Sequence, residues 1–527
     1  MFRSPYPDVD IPNVSIYDYL FTGLSDHELN TIALIDGTNG AETTYRALIA
    51  QIDGVAGALA ARGIDTETVV ALLCPNSPAV AAVFHGILRA GATVTTINSL
   101  ATEDDIEKQL KDSKATWFVT VSPLLAGAKT AAGRVGIADD HLIVLDGAEG
   151  HTNLRDLLTE QAAAPNVHFD PATHLAALPY SSGTTGLPKG VMISHRNLVA
   201  NVEQSRQVIV VGEGDRVLAF LPFFHIYGMT VLLNLAVKQR ATLVTMPRFD
   251  FVEFLRIMQD EKCSYVFIAP PVAVALAKHP LVDQYDLSSV HTVLSGAAPL
   301  DGQLAQAVAD RLGVRMIQGY GMTELSPVSH AIPNNRPDLA LSSVGMTLPN
   351  IECRLIDPAT GEDIEVPAEG QSIPGELLCR GPNVMLGYLG NEAATRDVMT
   401  EDGFLRTGDI ATVNWEGVVT IVDRLKELIK YKGYQIAPAE LEALLLTHPS
   451  IADAAVIGVV DDEGQEVPKA FIVLQADSAL DGDGVMGFVA EHVAPYKKVR
   501  QVQFIDAIPK SSSGKILRKD LRAMERA

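Results

Sequence analysis

Cysteine is scarce in this chain: four residues in 527, at positions 74, 263, 353 and 379. They stand far apart along the sequence, without the close pairs typical of a disulfide framework or a zinc site. Isolated cysteines of this kind are typical of core or surface thiols. The scarcity therefore excludes a disulfide-stapled secreted protein and favours a reducing, cytoplasmic compartment.

Long apolar runs are also missing. No stretch of about 18 apolar residues occurs, so the sequence predicts no transmembrane helix and no stable membrane insertion. The N-terminal segment MFRSPYPDVDIPNVSIYDYL lacks a basic stretch followed by an apolar core. We therefore expect no secretory signal.

Basic residues are too few to balance the acidic ones, and the formal net charge is −23. Because nucleic acids are polyanions, this excess argues against a nucleic acid as the main partner. The imbalance is uneven, since residues 497–527 carry 9 basic and 3 acidic side chains. This basic end is either a solvated surface or a place where an anionic ligand is bound.

What the sequence does contain is an alternation of helical and strand-like segments up to about Leu348. Residues 44–61 place apolar side chains at helical spacing, and residues 68–73 form an apolar run typical of a buried strand. The same pattern predicts strands over 92–97, 216–221, 241–246, 265–269 and 290–295, and helices over 77–89, 251–261 and after Phe223. Strands that alternate with helices indicate βαβ units and an α/β fold.

After Leu348 the pattern changes to short β segments with turn residues, which predicts a small β-barrel or antiparallel sheet over about 349–425. From Glu427 onward we expect a small α+β module, with helices over 438–447 and 484–492 and strands over 454–460 and 470–474. The charged segment Asp423–Gly433 joins the two parts. It predicts a large N-terminal domain, 1–425, and a small C-terminal domain, 426–527.

The segment Tyr180–Gly190, YSSGTTGLPKG, has the composition of a phosphate-binding loop. Glycines let backbone N–H groups approach an anion, hydroxyls add donors, and Lys189 adds a positive charge. It is not a Walker A loop, because Pro188 precedes the lysine and Gly190 follows it. Composition alone leaves two interpretations, a phosphate cradle or a flexible surface loop.

The order of these eleven residues is more specific than their composition. YSSGTTGLPKG resembles the phosphate loop of the adenylate-forming enzyme superfamily, which includes acyl-CoA synthetases, peptide-synthetase adenylation domains and firefly luciferases. Further blocks follow in that superfamily's order: LPFFHIYG (221–228), SGAAPL (295–300), QGYGMTE (318–324), RTGD (406–409), DRLKELIKYKGYQIAPAELE (423–442) and PKSSSGKILRKDL (509–521). Together they are most similar to 4-coumarate–CoA ligases and their bacterial acyl-CoA ligase relatives.

The resemblance implies an acid–thiol ligase that uses ATP, Mg²⁺ and CoA. Such enzymes activate a carboxylic acid as acyl-AMP with release of pyrophosphate, and then transfer the acyl group to CoA. A carboxylate and the α-phosphate of ATP repel each other, so the reaction needs cations, hydrogen-bond donors and rigid positioning. A small domain that rotates as a lid is part of the implied fold.

The resemblance assigns adenine stacking to Tyr320, an α-phosphate contact to Thr323 and magnesium to Glu324, a hard oxygen ligand of the kind Mg²⁺ prefers. Asp409, expected in a turn, would accept both ribose hydroxyls. Arg424 would be a second ribose or phosphate contact, unless it forms only a surface salt bridge. The full implied nucleotide set is Ser181, Ser182, Gly183, Thr184, Thr185, Lys189, Gln318, Gly319, Tyr320, Gly321, Thr323, Asp409, Ile421, Arg424 and Gln435.

The acyl group would lie beside His225. An isolated histidine in an apolar segment is more often a core residue, but the resemblance places this one next to the reacting carboxylate, where it orients the acid and gates the site. The implied acyl pocket comprises His225, Tyr227, Gly228, Gly296, Ala297, Gly319, Gly321, Met322, Pro327 and Val328.

Lys515 is the implied catalytic residue of adenylation, although composition alone would describe its segment as a solvated tail. A compact ammonium suits the bridging of a carboxylate oxygen and an α-phosphate. Lys426 is the implied hinge, and the spacing from Arg424 to Gly433 matches the superfamily's linker. Rotation about it would replace Lys515 by Lys432 and Gly433 and open a tunnel for CoA, while Gln435 also closes on the intermediate.

One departure bears on the acid. Plant coumarate ligases can carry a lysine where this chain has Leu294, and an apolar side chain cannot hydrogen-bond a phenol. We therefore favour an apolar aliphatic or aryl acid. Two alternatives stay open: an acyl-AMP synthetase that loads a carrier-protein thiol, and a luciferase-like oxygenase or an inactive relative.

Overall fold

The structure is a computed structural model, and it describes residues 1–181, 188–432, 434–461, 464–476, 478–511 and 514–526. Six residues of the predicted phosphate loop, 182–187, lie outside the described residues, and they include Ser182, Gly183, Thr184 and Thr185. Gly433 also lies outside the described residues. None of the helices in the described ranges is both long enough and apolar enough to cross a membrane.

The first 331 residues alternate strands and helices, as the sequence pattern predicts. The strands are β1 (Phe2–Arg3), β2 (Ile32–Asp36), β3 (Glu42–Thr44), β4 (Val69–Leu73), β5 (Thr93–Thr96), β6 (Trp117–Thr120), β7 (Leu142–Val144), β8 (Leu175–Ala177), β9 (Tyr180–Ser181), β10 (Lys189–Ser194), β11 (Arg216–Ala219), β12 (Thr242–Thr245), β13 (Tyr265–Ile268), β14 (Thr292–Ser295), β15 (Arg315–Gly321) and β16 (Val328–Ala331). The helices are α1 (Ile16–Phe21), α2 (Asp26–Asn30), α3 (Tyr45–Ala61), α4 (Pro78–Arg89), α5 (Glu103–Ser113), α6 (Leu125–Val135), α7 (Leu154–Thr159), α8 (His195–Arg206), α9 (Phe251–Asp260), α10 (Pro270–Lys278) and α11 (Gly302–Leu312).

Shorter helical segments lie between these elements. A π-helix occupies Gly228–Ala236, where the sequence predicts a helix after Phe223. Among the 3₁₀ turns, Thr323–Leu325 carries the end of the QGYGMTE block.

The part that follows is mostly antiparallel. Its elements are β17 (Gly345–Thr347), β18 (Glu352–Ile356), β19 (Asp363–Ile364), β20 (Gly375–Arg380), β21 (Gly387–Tyr388), α12 (Glu392–Val398), β22 (Leu405–Val413) and β23 (Val418–Arg424). The expected small barrel takes the form of an antiparallel set of strands that β17 and β16 join to the parallel strands. In the described pairings, these antiparallel strands and the parallel strands form one open sheet, because β16 pairs with β15 on one side and with β17 on the other.

Two sheets therefore organise the first 424 residues. One follows the order β21-β10-β8-β5-β4-β6-β7, and the other runs from β1 through β18, β20, β22, β23, β17 and β16 to the parallel strands β15, β14, β13, β11, β12 and β2. The central parallel strands β13 and β14 are buried along their whole length. This burial on both faces agrees with their continuous apolar sequences.

The last part is the small α+β unit that the sequence predicts. It contains the hairpin β24 (Ile429–Tyr431) and β25 (Tyr434–Ile436), helix α13 (Pro438–Thr447), strands β26 (Ile451–Val460) and β27 (Glu466–Leu474), helix α14 (Gly482–His492), strand β28 (Gln501–Phe504) and helix α15 (Arg518–Arg526). Helix α13 has the predicted bounds, and Pro438 occupies the first helical turn, where a missing N–H costs nothing.

The four cysteines are distant along the sequence, and two of them nevertheless meet in the fold. All four are buried free thiols. The antiparallel register of β18 and β20 sets Cys353 opposite Cys379, with their sulfur atoms 3.7 Å apart. Sequence spacing does not reveal this contact, because a strand register brings together residues that are distant along the chain.

Two buried histidines allow a prediction of how the free energy of unfolding depends on pH. His195 is fully buried, and its Nδ1 accepts the N–H of Ile16 at 3.2 Å. Burial lowers the pKa of His195 to about 3 and that of His85 to about 4. At pH values between the ordinary pKa of histidine, about 6.5, and these lowered values, the two histidines bind protons in the unfolded chain but not in the folded chain.

Stability contributed by these neutral rings is therefore complete above about pH 6.5 and is lost as the pH falls towards the folded-state values. We expect the melting temperature to drop between pH 7 and pH 5. His195→Asn, which keeps an acceptor for Ile16 but cannot titrate, should make the drop smaller. Equal drops in the two proteins, measured by calorimetry, would contradict the assignment.

Candidate active site

The sequence-predicted residues converge at the carboxyl ends of the parallel strands β13, β14 and β15, the edge where open α/β sheets bind ligands. A cavity of about 40 Å³ lies there. Its described lining combines residues 209–328 with one from the C-terminal end of the chain: Ile209, His225, Ile226, Tyr227, Val231, Leu294, Gly296, Ala297, Gly319, Tyr320, Gly321, Met322, Thr323, Pro327, Val328 and Lys515. This volume holds a few water molecules at most, so an acyl group enters only if side chains or the C-terminal part move.

The segment that carries His225 is held by the other sheet. The Asn76 amide donates to the carbonyls of Ala219 and Leu221, at 2.9 and 2.8 Å, and accepts the N–H of Phe223. Thr96 adds a bond from its hydroxyl to the carbonyl of Phe224. These side chains follow β4 and end β5, so the first sheet fixes the approach to the site.

His225 is neutral in this environment. Burial and the nearby Lys515 lower its pKa to about 3. Its Nδ1 accepts the N–H of Tyr227 at 3.2 Å, so the ring proton resides on Nε2. The imidazole thus offers a donor to an acid without adding a positive charge next to Lys515.

The acyl-pocket residues predicted from SGAAPL and QGYGMTE also line the cavity. A Cβ on Gly296 would come within 3.0 Å of the Tyr227 phenol, and one on Gly321 within 2.2 Å of the carbonyl oxygen of Pro327. Gly228 is equally constrained, by the carbonyl oxygen of Pro222. Ala297 has a φ of 72°, a strained value for a residue with a side chain. Such strain is common at functional sites.

The block QGYGMTE begins on β15 and ends in the 3₁₀ turn, so its tyrosine is held by strand pairing. Gln318 is buried, and its amide donates to the carbonyls of Leu300 and Leu341. The Tyr320 hydroxyl donates to Asp409 at 2.5 Å, and the guanidinium of Arg424 lies 3.5 Å from the other oxygen of that carboxylate.

Asp409 lies inside β22, which corrects the expected turn. Strand β22 pairs with β20 on one side and with β23 on the other. The pairing with β23 sets Asp409 opposite Arg424, and Ile421 lies three residues before Arg424 on β23. Burial raises the pKa of Asp409, while Arg424, the Tyr320 hydroxyl and Lys515 oppose the rise. Asp409 is thus a buried carboxylate with a single cluster of donors and cations around it.

Tyr388, a residue that the sequence analysis missed, contacts both the predicted phosphate-binding Lys189 and the predicted metal ligand Glu324. Its hydroxyl donates to Glu324 at 2.8 Å, and the ammonium of Lys189 lies 4.7 Å from the centre of its ring. Ser181 pairs with Lys189 across β9 and β10, so it lies at the base of the phosphate loop. The sequence signal for Tyr388 is weak, because it stands in a short apolar segment, NVMLGYL.

Lys515 reaches this site from the C-terminal part. Gly514, at a φ of 81°, lies against Ala269 and Pro271, which begin α10. Burial and Arg424 lower the pKa of Lys515, while Asp409 and Glu324 oppose the shift. Lys278, at the end of α10, also donates to the carbonyl of Leu446 at 2.7 Å. These two contacts join the C-terminal part to α10 and so hold Lys515 at the cavity.

Three other predicted residues lie elsewhere in this arrangement. Lys426, Lys432 and Gln435 are exposed, the last two on the β24–β25 hairpin and its turn. The structure thus brings Lys515 to the cavity and leaves the hairpin outside it. Lys432 has a φ of 48° and lies over the ring of Tyr431.

A larger cavity, about 410 Å³, opens at the other end of β15, between α11 and residues 332–342. Its lining includes Arg315 and Arg336, whose guanidiniums bond to the carbonyl of Pro333 and to Asp338. Among the described residues, none of the sequence-predicted groups lines this cavity. We therefore assign the chemistry to the smaller cavity, where His225, Thr323 and Lys515 meet.

Comparisons with known proteins show the family to which this chain belongs. Residues 24–389 match the model of the AMP-binding enzyme family, and residues 440–515 match that of the AMP-binding enzyme C-terminal domain. The chain is 40% identical to 4-coumarate–CoA ligase 5 of Oryza sativa subsp. japonica, over 99% of this chain and 97% of the relative. It is 38% identical to probable 4-coumarate–CoA ligase 1 of Dictyostelium discoideum, over 99% and 97%.

Solved structures of similar shape include ATP-bound MatB from Rhodopseudomonas palustris, with a TM-score of 0.88, 26% identity and coverage of 98% of this chain and 99% of the other. The anthranilate CoA ligase AuaEII in complex with anthranoyl-AMP gives a TM-score of 0.90, 25% identity and coverage of 98% of each chain. The likeness extends over nearly the full length in both cases.

Proposed function

Because this chain belongs to the AMP-binding enzyme family, we propose that it is an ATP-dependent acid–thiol ligase. It activates a carboxylic acid as acyl-AMP with release of pyrophosphate, and then transfers the acyl group to CoA. The observation that carries this proposal is the presence of Lys515, from the far end of the chain, in one cavity with His225 and Thr323.

In the first half-reaction a carboxylate oxygen attacks the α-phosphorus of ATP. Lys515 bridges the two anions and stabilises the charge that develops between them. The Nε2–H of His225 orients the carboxylate, and Thr323 donates to the α-phosphate. The bond from the α-phosphorus to the bridging oxygen then breaks, and pyrophosphate leaves.

One carboxylate positions the nucleoside. Tyr320 stacks on the adenine while its hydroxyl donates to Asp409, which also accepts the ribose hydroxyls. Arg424 opposes the rise in the pKa of Asp409 that burial causes. Gln318, Gly319, Gly321 and Ile421 complete the nucleoside site, and Ser181 to Thr185 with Lys189 hold the outer phosphates.

Glu324 fits magnesium by its chemistry. It is a buried carboxylate whose Oε1 accepts the Tyr388 hydroxyl, and carboxylate oxygens are the ligands that Mg²⁺ prefers. When bound, the ion neutralises charge on the ATP phosphates. The residue's own contribution is a negative charge held beside the phosphate-binding Lys189.

The second half-reaction needs a different arrangement of the chain. We assign residues 1–425 to an N-terminal domain and 426–527 to a lid that rotates about Lys426. Rotation removes Lys515 and brings Lys432, Gly433 and Gln435 towards the intermediate, so that the thiol of CoA attacks the acyl carbonyl and AMP leaves. A hinge of a few residues between two packed domains supports such motion.

The substrates of the proposed reaction, ATP and CoA, are consistent with a cytoplasmic location of the protein.

The acid is an apolar aliphatic or aryl acid. Leu294, Val231, Ile209 and Val328 line the cavity with apolar side chains. A phenolic hydroxyl placed against Leu294 would lose its hydrogen bond to water without gaining a partner.

We therefore expect cinnamic acid to give a higher kcat/KM than p-coumaric acid, by about tenfold, in a pyrophosphate-release assay. A panel of fatty, cinnamic and benzoic acids sets the scale. In Leu294→Gln, which offers an amide to a phenol, the ratio should move towards p-coumarate. A clear preference of the unmodified protein for p-coumarate would contradict this acid class.

The function itself is tested by product analysis. With ATP, Mg²⁺, an accepted acid and CoA, mass spectrometry should detect AMP, pyrophosphate and the acyl-CoA thioester. Formation of acyl-AMP without a thioester would instead support a carrier-protein thiol as acceptor. Light emission that depends on oxygen would support the luciferase-like alternative.

A further inference from the structure

We infer that Tyr388 is a positioning residue that couples the phosphate-binding Lys189 to the metal-binding Glu324. The inference rests on the proposed function, because it takes both residues to act on the same triphosphate. Tyr388 is 6% exposed and stands between them, with its hydroxyl on the carboxylate and its ring face under the ammonium.

The backbone around Tyr388 is bonded to both partners' elements. The N–H of Leu389 donates to the carbonyl of Gly190, and Val191 pairs with Tyr388 across β10 and β21. On the other side, the N–H of Met385 donates to the carbonyl of Glu324 itself. Residues 385–389 thus form a bridge between the end of the phosphate loop and the 3₁₀ turn.

The bridge is also anchored at its far side. The N–H of Tyr388 donates to the hydroxyl of Thr395 on α12 at 2.9 Å, and Thr395 bonds back to the carbonyl of Asn391. Asn383 donates to the carbonyl of Leu325 at 2.8 Å. These bonds hold the backbone of Tyr388 in place, so that its phenol can orient the side chains of Lys189 and Glu324.

The chemistry of the phenol suits the two contacts. The Tyr388 hydroxyl is a hydrogen-bond donor, and Oε1 of Glu324 accepts it at 2.8 Å. The hydroxyl occupies Oε1 of Glu324 and so orients the carboxylate towards the phosphates. The ring face attracts the ammonium of Lys189 by a cation–π interaction. One side chain thus sets the separation between a cation and an anion that bind the same ligand.

Two substitutions separate these roles. Tyr388→Phe keeps the ring under Lys189 and removes only the bond to Glu324. Outer-sphere partners of metal ligands are typically worth ~10–100-fold in metal affinity. We expect the free Mg²⁺ concentration for half-maximal effect to rise about tenfold, while the affinity for ATP in EDTA stays unchanged. Tyr388→Leu should, in addition, weaken metal-free ATP binding about threefold or more.

The chain offers a matched control in Tyr17. Its hydroxyl donates to Asp53 at 2.9 Å, the guanidinium of Arg89 lies 4.9 Å from its ring centre, and it is also 6% exposed. Tyr17→Phe removes the same kind of bond outside the proposed site. It should leave the magnesium dependence unchanged.

The measurement is isothermal titration calorimetry of α,β-methylene-ATP across a series of free Mg²⁺ concentrations, followed by pyrophosphate release at the same concentrations. A magnesium shift in Tyr388→Phe but not in Tyr17→Phe supports the inference. Equal magnesium curves for the two variants, or a change confined to the acid KM, would overturn it. If no acid released pyrophosphate, the proposed function would fail, while the calorimetry would still decide the role of Tyr388.

Discussion

Lys515→Ala is expected to reduce acyl-AMP formation by about 10³-fold, the loss typical of removing a charged group aimed at a developing anion. Thioester formation from supplied acyl-AMP and CoA should stay within a few-fold of the unmodified protein. The reason is that Lys515 lines the cavity in the orientation in which Gly514 lies against Ala269 and Pro271. The second half-reaction uses the other orientation of the lid.

The two half-reactions are measured separately, by exchange of labelled pyrophosphate into ATP and by acyl-CoA formation from acyl-AMP. Lys510→Ala is the matched control, since this lysine begins the same segment but pairs with Asp453 inside the C-terminal part. It should retain both activities. Equal loss of both half-reactions in Lys515→Ala would contradict the rotating-lid assignment.

Lys426→Pro is expected to slow thioester formation by roughly 10–100-fold and to leave adenylation nearly unchanged. Lys426 follows the last bond of β23 and lies inside the turn closed by the N–H of Glu427 and the carbonyl of Arg424. Proline fixes φ at this position and also restricts the preceding residue. The orientation seen here already supplies Lys515, so only the step that needs rotation should suffer.

Lys426→Ala removes the same side chain without restricting the backbone, and it should behave as the unmodified protein in both assays. An unchanged overall rate in Lys426→Pro would contradict the assignment of Lys426 as the hinge. A loss of adenylation equal to the loss of thioester formation would indicate that the proline disturbs the site itself.

Much of the fold follows from local sequence. The periodicity of apolar residues predicts α3 and α4, because side chains that share one face of an element must recur with that element's period, and the apolar run between them predicts the buried strand β4. Pro438 and the apolar residues after it predict α13 with its observed bounds. The resemblance of the sequence blocks leads to the AMP-binding family, and it points to His225, Tyr320, Thr323 and Lys515, which the structure brings to one cavity.

Other features depend on which strands pair. Asp409 was expected in a turn and lies inside β22, where it pairs with Arg424 of β23. The contact of Cys353 with Cys379 follows from one register of β18 on β20. The sequence around these residues contains no local signal of either pairing.

By itself, the sequence determined the α/β class, the succession of elements and the chemical groups available for carboxylate activation. Only the tertiary structure decided which groups act together. Tyr388 and Glu324 are 64 residues apart, and Lys189 lies on a strand from the first half of the chain. The physical reason is that periodicity reports which face of an element is buried, whereas the partner on that face is chosen by strand register and by the packing of distant segments.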